Sequence, residues 1–244
     1  MSPFAISFVA FACVASGVLL AAWGHSLLPE VHRGSDTKEV VRLGMALVGT
    51  TVALVLGLLI ASAKNFYDTQ NAEVTEIAAN LVLLDRILSH YGPESKDARQ
   101  MLRSSLIHEL DTKGYQAESD HSANETLFDK IQELSPQNDS QRLLHNQAIT
   151  LTIKLAQTRW LMFEQKTSSV PMPLLVMLVF WLTLLFTSFG LFVRPNATAV
   201  SSLMISALAV CGAIFLILEM YQPESGLIHS TDAPLRAALA QLGK

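Results

Sequence analysis

The residues best suited to chemistry cluster on one segment. Gly49, Ala53, Gly57 and Ala61 recur every four residues inside an apolar run. Small side chains at that spacing let another helix backbone approach closely. Two readings follow. The helix packs inside one subunit, or several copies surround an axis and line a pore. Thr50, Thr51, Ser62 and Asn65 can moisten such a lumen, or the hydroxyls simply bond to their own backbone. Beyond the run stand Asp68, Glu73, Glu76 and Asp85. In a symmetric oligomer each becomes a ring of charge, and acidic rings attract cations. The alternative is a solvated helix face, or Asp85 paired with a neighbour such as Arg86 or Arg159. Glu219 lies at the boundary of a later apolar run. An acid at that depth is a candidate site, or only a stop at the interface.

Other chemistries lack their residues. No Gly-x-Gly-x-x-Gly follows a strand, and there is no P-loop. His108-Glu109 is not followed by the second histidine of a zinc helix. No Gly-x-Ser-x-Gly elbow occurs. Cys13 and Cys211 lie inside apolar runs and read as small hydrophobes rather than as a disulfide or metal ligands. The net charge of −4, without a basic stripe, gives no support to a nucleic-acid partner. Nothing points to an enzyme, a metal or a cofactor.

These residues need a scaffold, and hydropathy supplies it. Half of the 244 residues are hydrophobic and 16% are charged, against about 25% charged in soluble domains. A spanning helix needs roughly 20 apolar residues. Four charge-free runs meet this: Phe4 to Trp23, Leu43 to Ala63, Pro173 to Val193 and Ala197 to Leu218. No Lys or Arg precedes the first, which argues against a cleaved signal peptide. Trp181 falls near the middle of its span and reads as packing. Four spans place both termini and the large middle segment on one side. Arg33, Lys38, Arg42 and Arg194 lie on the other side, while Lys64, Lys154, Arg159, Lys166, Arg236 and Lys244 flank the middle segment and termini. That distribution leans toward cytoplasmic termini and a cytoplasmic large loop.

The second span does not stop at the membrane. Val74, Ile77, Leu81, Leu84, Leu88 and Tyr91 step by 3, 4, 3, 4, 3, a heptad seam. One helix is expected from about Thr37 to His90, projecting roughly 40 Å beyond the bilayer at 1.5 Å per residue. Three further helices are expected: Glu94 to Lys113, Asn124 to Leu134, and Asp139 to about Lys166. Gly114 to Asn124 reads as a loop. Leu144, Ala148, Leu151, Leu155 and Met162 form a stripe suited to the heptad seam. Pro223-Glu224-Ser225-Gly226 reads as a turn. Ser230, Thr231 and Asp232 are cap residues, and Pro234 suits a first turn. A short amphipathic helix follows, with Leu235, Ala238, Leu239 and Leu242 on one face, set to lie on the bilayer or on the polar domain. The expected class is all-α: a polytopic membrane protein with four transmembrane helices and a helical soluble domain between helices 2 and 3. Its parts are 1–63, 64–172, 173–219 and 220–244.

Three stretches together resemble a known family. They are VVRLGMALVGTTVALVLGLLIASAKNFYDTQNAEV at 40–74, ANLVLLDRILSHYGPE at 79–94 and SGLIHSTDAPLRAALAQLG at 225–243. The set is similar to a bacterial membrane family of unknown function described as bestrophin-like. Bestrophins are oligomeric, usually pentameric, ion channels with four membrane helices per subunit, a helical cytosolic part and a pore lined by the second membrane helix. Neither their neck of bulky apolar side chains nor their calcium-binding acidic cluster is matched residue for residue. The resemblance implies a homo-oligomeric ion channel in the bacterial inner membrane, with lipid and inorganic ions as partners. Gly49, Ala53, Gly57 and Ala61 would allow close approach, and Thr50, Ser62 and Asn65 would line the pore. Asp68, Glu73 and Glu76 would charge its mouth and favour cations. The rival expectation is a non-conducting scaffold or sensor acting through its helical stalk. A transporter is weaker, because inverted repeats and broken spans are missing.

Overall fold

The computed structural model describes residues 2–24, 35–111, 117–166, 172–192, 196–221 and 232–243, and among them no strand occurs. The helices are α1 (Pro3–Gly24), α2 (Ser35–Tyr91), α3 (Lys96–Asp111), α4 (Ala117–Gln132), α5 (Asp139–Lys166), α6 (Met172–Phe192), α7 (Ala197–Met220) and α8 (Ala233–Leu239). Four of them, α1, α2, α6 and α7, are long and apolar enough to cross a membrane. Arg33, Arg194, Gly114, Pro171, the 223–226 turn, Ser230, Thr231 and Lys244 lie outside the described residues.

The 57-residue α2 is unbroken because no proline interrupts it. It ends where Gly92 takes φ 133°, a conformation that side-chain-bearing residues rarely adopt, and Pro93 follows. Two of the orphan carbonyls of its last turn, those of Leu88 and Tyr91, find side-chain donors. Ser95 Oγ donates to the carbonyls of Leu88 and Gly92. Gln141 Nε2 donates to Tyr91 O at 3.0 Å.

The chain divides into two compact units. The membrane unit holds α1, α6, α7 and the first part of α2. Val14, Val18, Leu178, Leu182, Phe186, Ala207, Cys211 and Ile214 build its core, with Trp181 packed against it. Gly17 and Gly190 bring α1 and α6 together. A Cβ on Gly17 would collide with the Thr187 hydroxyl, and one on Gly190 would sit 3.0 Å from Val18 O. Cys211 packs as the sequence suggests, whereas Cys13 is exposed on α1. A lipid-facing surface is as apolar as a core, so hydropathy does not distinguish the two.

The polar unit holds the rest of α2 with α3, α4, α5 and α8. The heptad residues Ile77, Leu81, Leu84 and Leu88 are buried against Leu102 and Leu106 of α3, Leu127 and Ile131 of α4, and Ala148 and Leu155 of α5. Leu235, Ala238 and Leu242 join the same core, so the tail helix packs on this unit. Asp232 precedes α8 without a side-chain cap bond. One expected loop differs: α4 already begins at Ala117, inside the stretch read as Gly114 to Asn124.

Candidate functional site

Within the membrane unit α2 buries one face and leaves the opposite face open. Val48, Val52, Val55, Leu56, Leu59 and Ala63 pack into or against the core. Only 11% of the most apolar window of α2 is buried, against 39%, 33% and 22% for α1, α6 and α7. The expected small-residue stripe is divided between the two faces. A Cβ on Gly49 would meet Leu185 Cδ1 at 3.4 Å, while one on Gly57 would meet nothing within 4 Å. Ala53 and Ala61 are exposed. The cause is helix geometry. Residues four apart drift by about 40° per step, so the row winds from the packed side to the open side.

The open face is broad, with Ala46, Thr51, Leu58, Ile60, Ser62 and Asn65 also exposed, and one row of it runs straight along the helix. Leu43, Leu47, Thr50, Leu54, Gly57, Ala61, Lys64 and Asp68 are all exposed. They step by 4, 3, 4, 3, 4, 3, 4. A spacing of 3.5 residues keeps one seam facing a partner helix. The four-residue count overlooked this seam because the run is apolar on every side. The 3.5 step was present in the sequence.

The polar candidates divide in the same way. Thr50 and Thr51 both donate to Leu47 O, at 2.8 and 3.0 Å, so their hydroxyl protons serve the backbone. Ser62 shares a 3.0 Å hydrogen bond with the Tyr221 hydroxyl, and Phe66 stacks on the Tyr221 ring at 5.1 Å. Ser62 thereby ties α2 to the end of α7. Asn65 and Asp68 are exposed. Glu219 is 2% exposed at the end of α7, where Ile217 and Leu218 are buried too.

The lower acids face α5 rather than one axis. Glu73 Oε1 accepts from Gln165 Nε2 at 2.9 Å, and Gln165 Oε1 accepts from Gln70 Nε2 at 3.2 Å. Glu76 pairs with Lys154 at 2.7 Å on the surface. Of the three expected mouth acids, only Asp68 lies on the open seam in register with Leu54 and Ala61.

Two ion pairs in the polar unit were not foreseen. The expected partners of Asp85 were Arg86 or Arg159. Instead Arg99 grips it in a two-pronged bond, Nε to Oδ1 at 2.7 Å and Nη2 to Oδ2 at 3.0 Å. The Gly243 N–H adds a third bond to Oδ2 at 3.2 Å. Burial pushes the Asp85 carboxyl up, but the Arg99 and Gly243 bonds with the charges of Arg99 and Arg86 outweigh it and hold it below its ordinary range. Arg159 is spoken for by Glu109, at 2.7 Å. Among the described residues no group of three or more His, Cys, Asp or Glu could hold a metal ion.

Comparison with known proteins adds two findings. A family described as the bestrophin-like domain matches residues 11–235. The fold is similar to a crystal structure of a bacterial bestrophin homologue from Klebsiella pneumoniae carrying one mutation, with a TM-score of 0.72 over 96% of this chain and 97% of that chain. Sequence identity there is 12%, so the likeness is one of fold. No curated protein matches the chain.

Proposed function

The chain belongs to the bestrophin-like family, and from that premise we propose that it is a homo-oligomeric ion channel whose pore is lined by α2. The observation that carries this reading is the open seam of α2. Within the span the seam carries the small residues Gly57 and Ala61 after Leu43, Leu47, Thr50 and Leu54, which lets copies of α2 approach closely there, and Lys64 and Asp68 continue it past the end of the apolar run. Copies of α2 around an axis would cover that seam. The apolar outer residues of the other spans, such as Phe8, Val176, Phe180 and Ile205, suit lipid.

In this arrangement Thr50, Ala53, Gly57 and Ala61 surround the narrow path, and Asn65 and Asp68 stand at its mouth. Ser62, bonded to Tyr221, and Gly49, against Leu185, hold α2 in place. A ring of Asp68 carboxylates favours cations, opposed by the Lys64 ammonium groups one turn earlier on the same seam. Glu73 and Glu76 contribute less, since both are engaged with α5. Five copies, as in the family's channels, and a bacterial inner-membrane location with the termini and polar unit in the cytoplasm complete the proposal.

The rival reading, a non-conducting scaffold or sensor acting through its stalk, has one observation against it. The heptad seam that would recruit a partner to a free stalk packs inside the chain itself, which makes the stalk structural. It leaves the membrane seam of α2 without a role. The deciding experiment is reconstitution of the purified protein in liposomes, with potassium, sodium and chloride flux and oligomeric mass measured on one sample. A symmetric oligomer with ion flux is expected. A monomer or dimer without flux would overturn the channel.

A further inference from the structure

A second feature lies in the polar unit. A cleft of about 500 Å³ opens among the end of α2, the start of α3 and the turn after α8. That volume is in the usual range for small-molecule sites, roughly 300–1,000 Å³. Three cations line it, Lys96, Arg99 and Arg103. Their spacing of three and four residues puts all of them on one face of α3.

Among the described residues that line it Asp85 is the only acid, and its charge is already committed. Its two oxygens hold Arg99 and the Gly243 N–H. Lys96 and Arg103 therefore leave the wall positive. Ser89 and Gln100 add exposed hydrogen-bonding groups without charge. A cleft lined by one sign of charge concentrates ions of the other sign. Lys96 and Arg103 stand two turns apart on α3, about 10 Å along the helix, so a lysine point charge and an arginine fork line the cleft toward its two ends, and both suit phosphate oxygens.

We infer that this cleft binds a compact phosphate-bearing anion, held by Lys96 and Arg103 with Ser89 and Gln100 as flanking donors. A phosphorylated metabolite and a phospholipid headgroup share that chemistry. The Arg103 guanidinium also lies close to the turn after α8, since a Cβ on Gly243 would sit 3.2 Å from Nη1. A bound phosphate thus braces α3 against the tail. The site goes beyond the channel reading and does not depend on it.

The test is calorimetric titration of pyrophosphate into the full-length protein in detergent. Saturable binding near one per chain is expected, weakening as salt rises because the contacts are charged. Lys96→Gln and Arg103→Gln should each weaken it at least tenfold with helical content unchanged. Arg142→Gln, at an exposed pair with Asp139 on α5, should leave it unchanged. Displacement by a short-chain phosphatidic acid would assign the headgroup as the source, and displacement only by soluble phosphates would assign a metabolite. Absence of saturable binding, or equal binding by the Lys96→Gln/Arg103→Gln double variant, would overturn the site. Binding is read without ion flux, so this result and the conduction result are separate.

Discussion

Gly57→Leu separates packing within one chain from packing between copies. A Cβ at Gly57 meets no atom within 4 Å of its own chain. Inside a lone subunit the added Cβ meets no clash, and removing a glycine from a helix interior favours the helix by about 0.5–1 kcal/mol. Between copies the sign reverses. Forcing extra side-chain volume into a close contact costs about 1–3 kcal/mol. Rotational symmetry repeats that cost in every subunit, so a pentamer loses about 5–15 kcal/mol. At 1.4 kcal/mol per decade this is about three orders of magnitude or more in assembly. Gly17→Leu supplies the contrast, since its Cβ collides with Thr187 and comes within 3.2 Å of Thr183 Cγ2. Its cost falls inside the chain, between α1 and α6. The assay is native mass spectrometry in detergent followed by flux from the same sample in liposomes. Gly57→Leu should keep the helical content but lose the oligomer or alter the flux. Gly17→Leu should lower the yield of folded protein. Unchanged oligomer and flux in a well-folded Gly57→Leu protein would refute the placement of this seam at an axis.

Asp68→Lys should lower the cation-to-anion permeability ratio in reversal-potential measurements, and an unchanged ratio would remove Asp68 from the mouth. Arg99→Ala leaves the Asp85 side chain, 5% exposed, with only the Gly243 N–H bond. With Arg99 itself a quarter exposed, a loss of about 2–4 kcal/mol is expected, read by urea unfolding of the helical signal. The Asp85 carboxyl lies below its ordinary value of 3.8. Its stabilisation is therefore full above that pH and is lost as pH falls through the lower folded value. Asp85→Asn should flatten this acid limb, and an identical acid midpoint in both proteins would refute the linkage. Gly243 has φ +87°, so Gly243→Ala should destabilise the tail turn by about 1–2 kcal/mol, seen as faster amide exchange in α8 with little change in α5.

Much of the fold was legible because it is written locally. Three of the apolar runs match α1, α6 and α7 to within a few residues, and the run Leu43 to Ala63 lies inside the longer α2. A run of that length has no favourable state in water, whatever its neighbours. The continuity of α2 was equally plain, since only Gly92-Pro93 could end it. The start of α4 was not, because a polar helix without an apolar stripe looks like a loop. The candidate site was half legible. Asp68, Gly57 and Ala61 were singled out and lie on the open seam, whereas Glu73, Glu76 and Ser62 are engaged with α5 or Tyr221.

The sequence alone thus determined the membrane class, the number of spans and the long second helix. These depend on the free energy of moving backbone and side chains between water and lipid, which is settled residue by residue. Tertiary structure decided which face of α2 is buried, because a helix apolar all round carries no mark of its packed side. It also decided the ion pairs. Arg99 lies 14 residues from Asp85, and Arg159 lies 50 from Glu109. Coulombic partners are chosen by distance in space, and nearby Arg86 lost Asp85 to Arg99 once α3 turned back along α2.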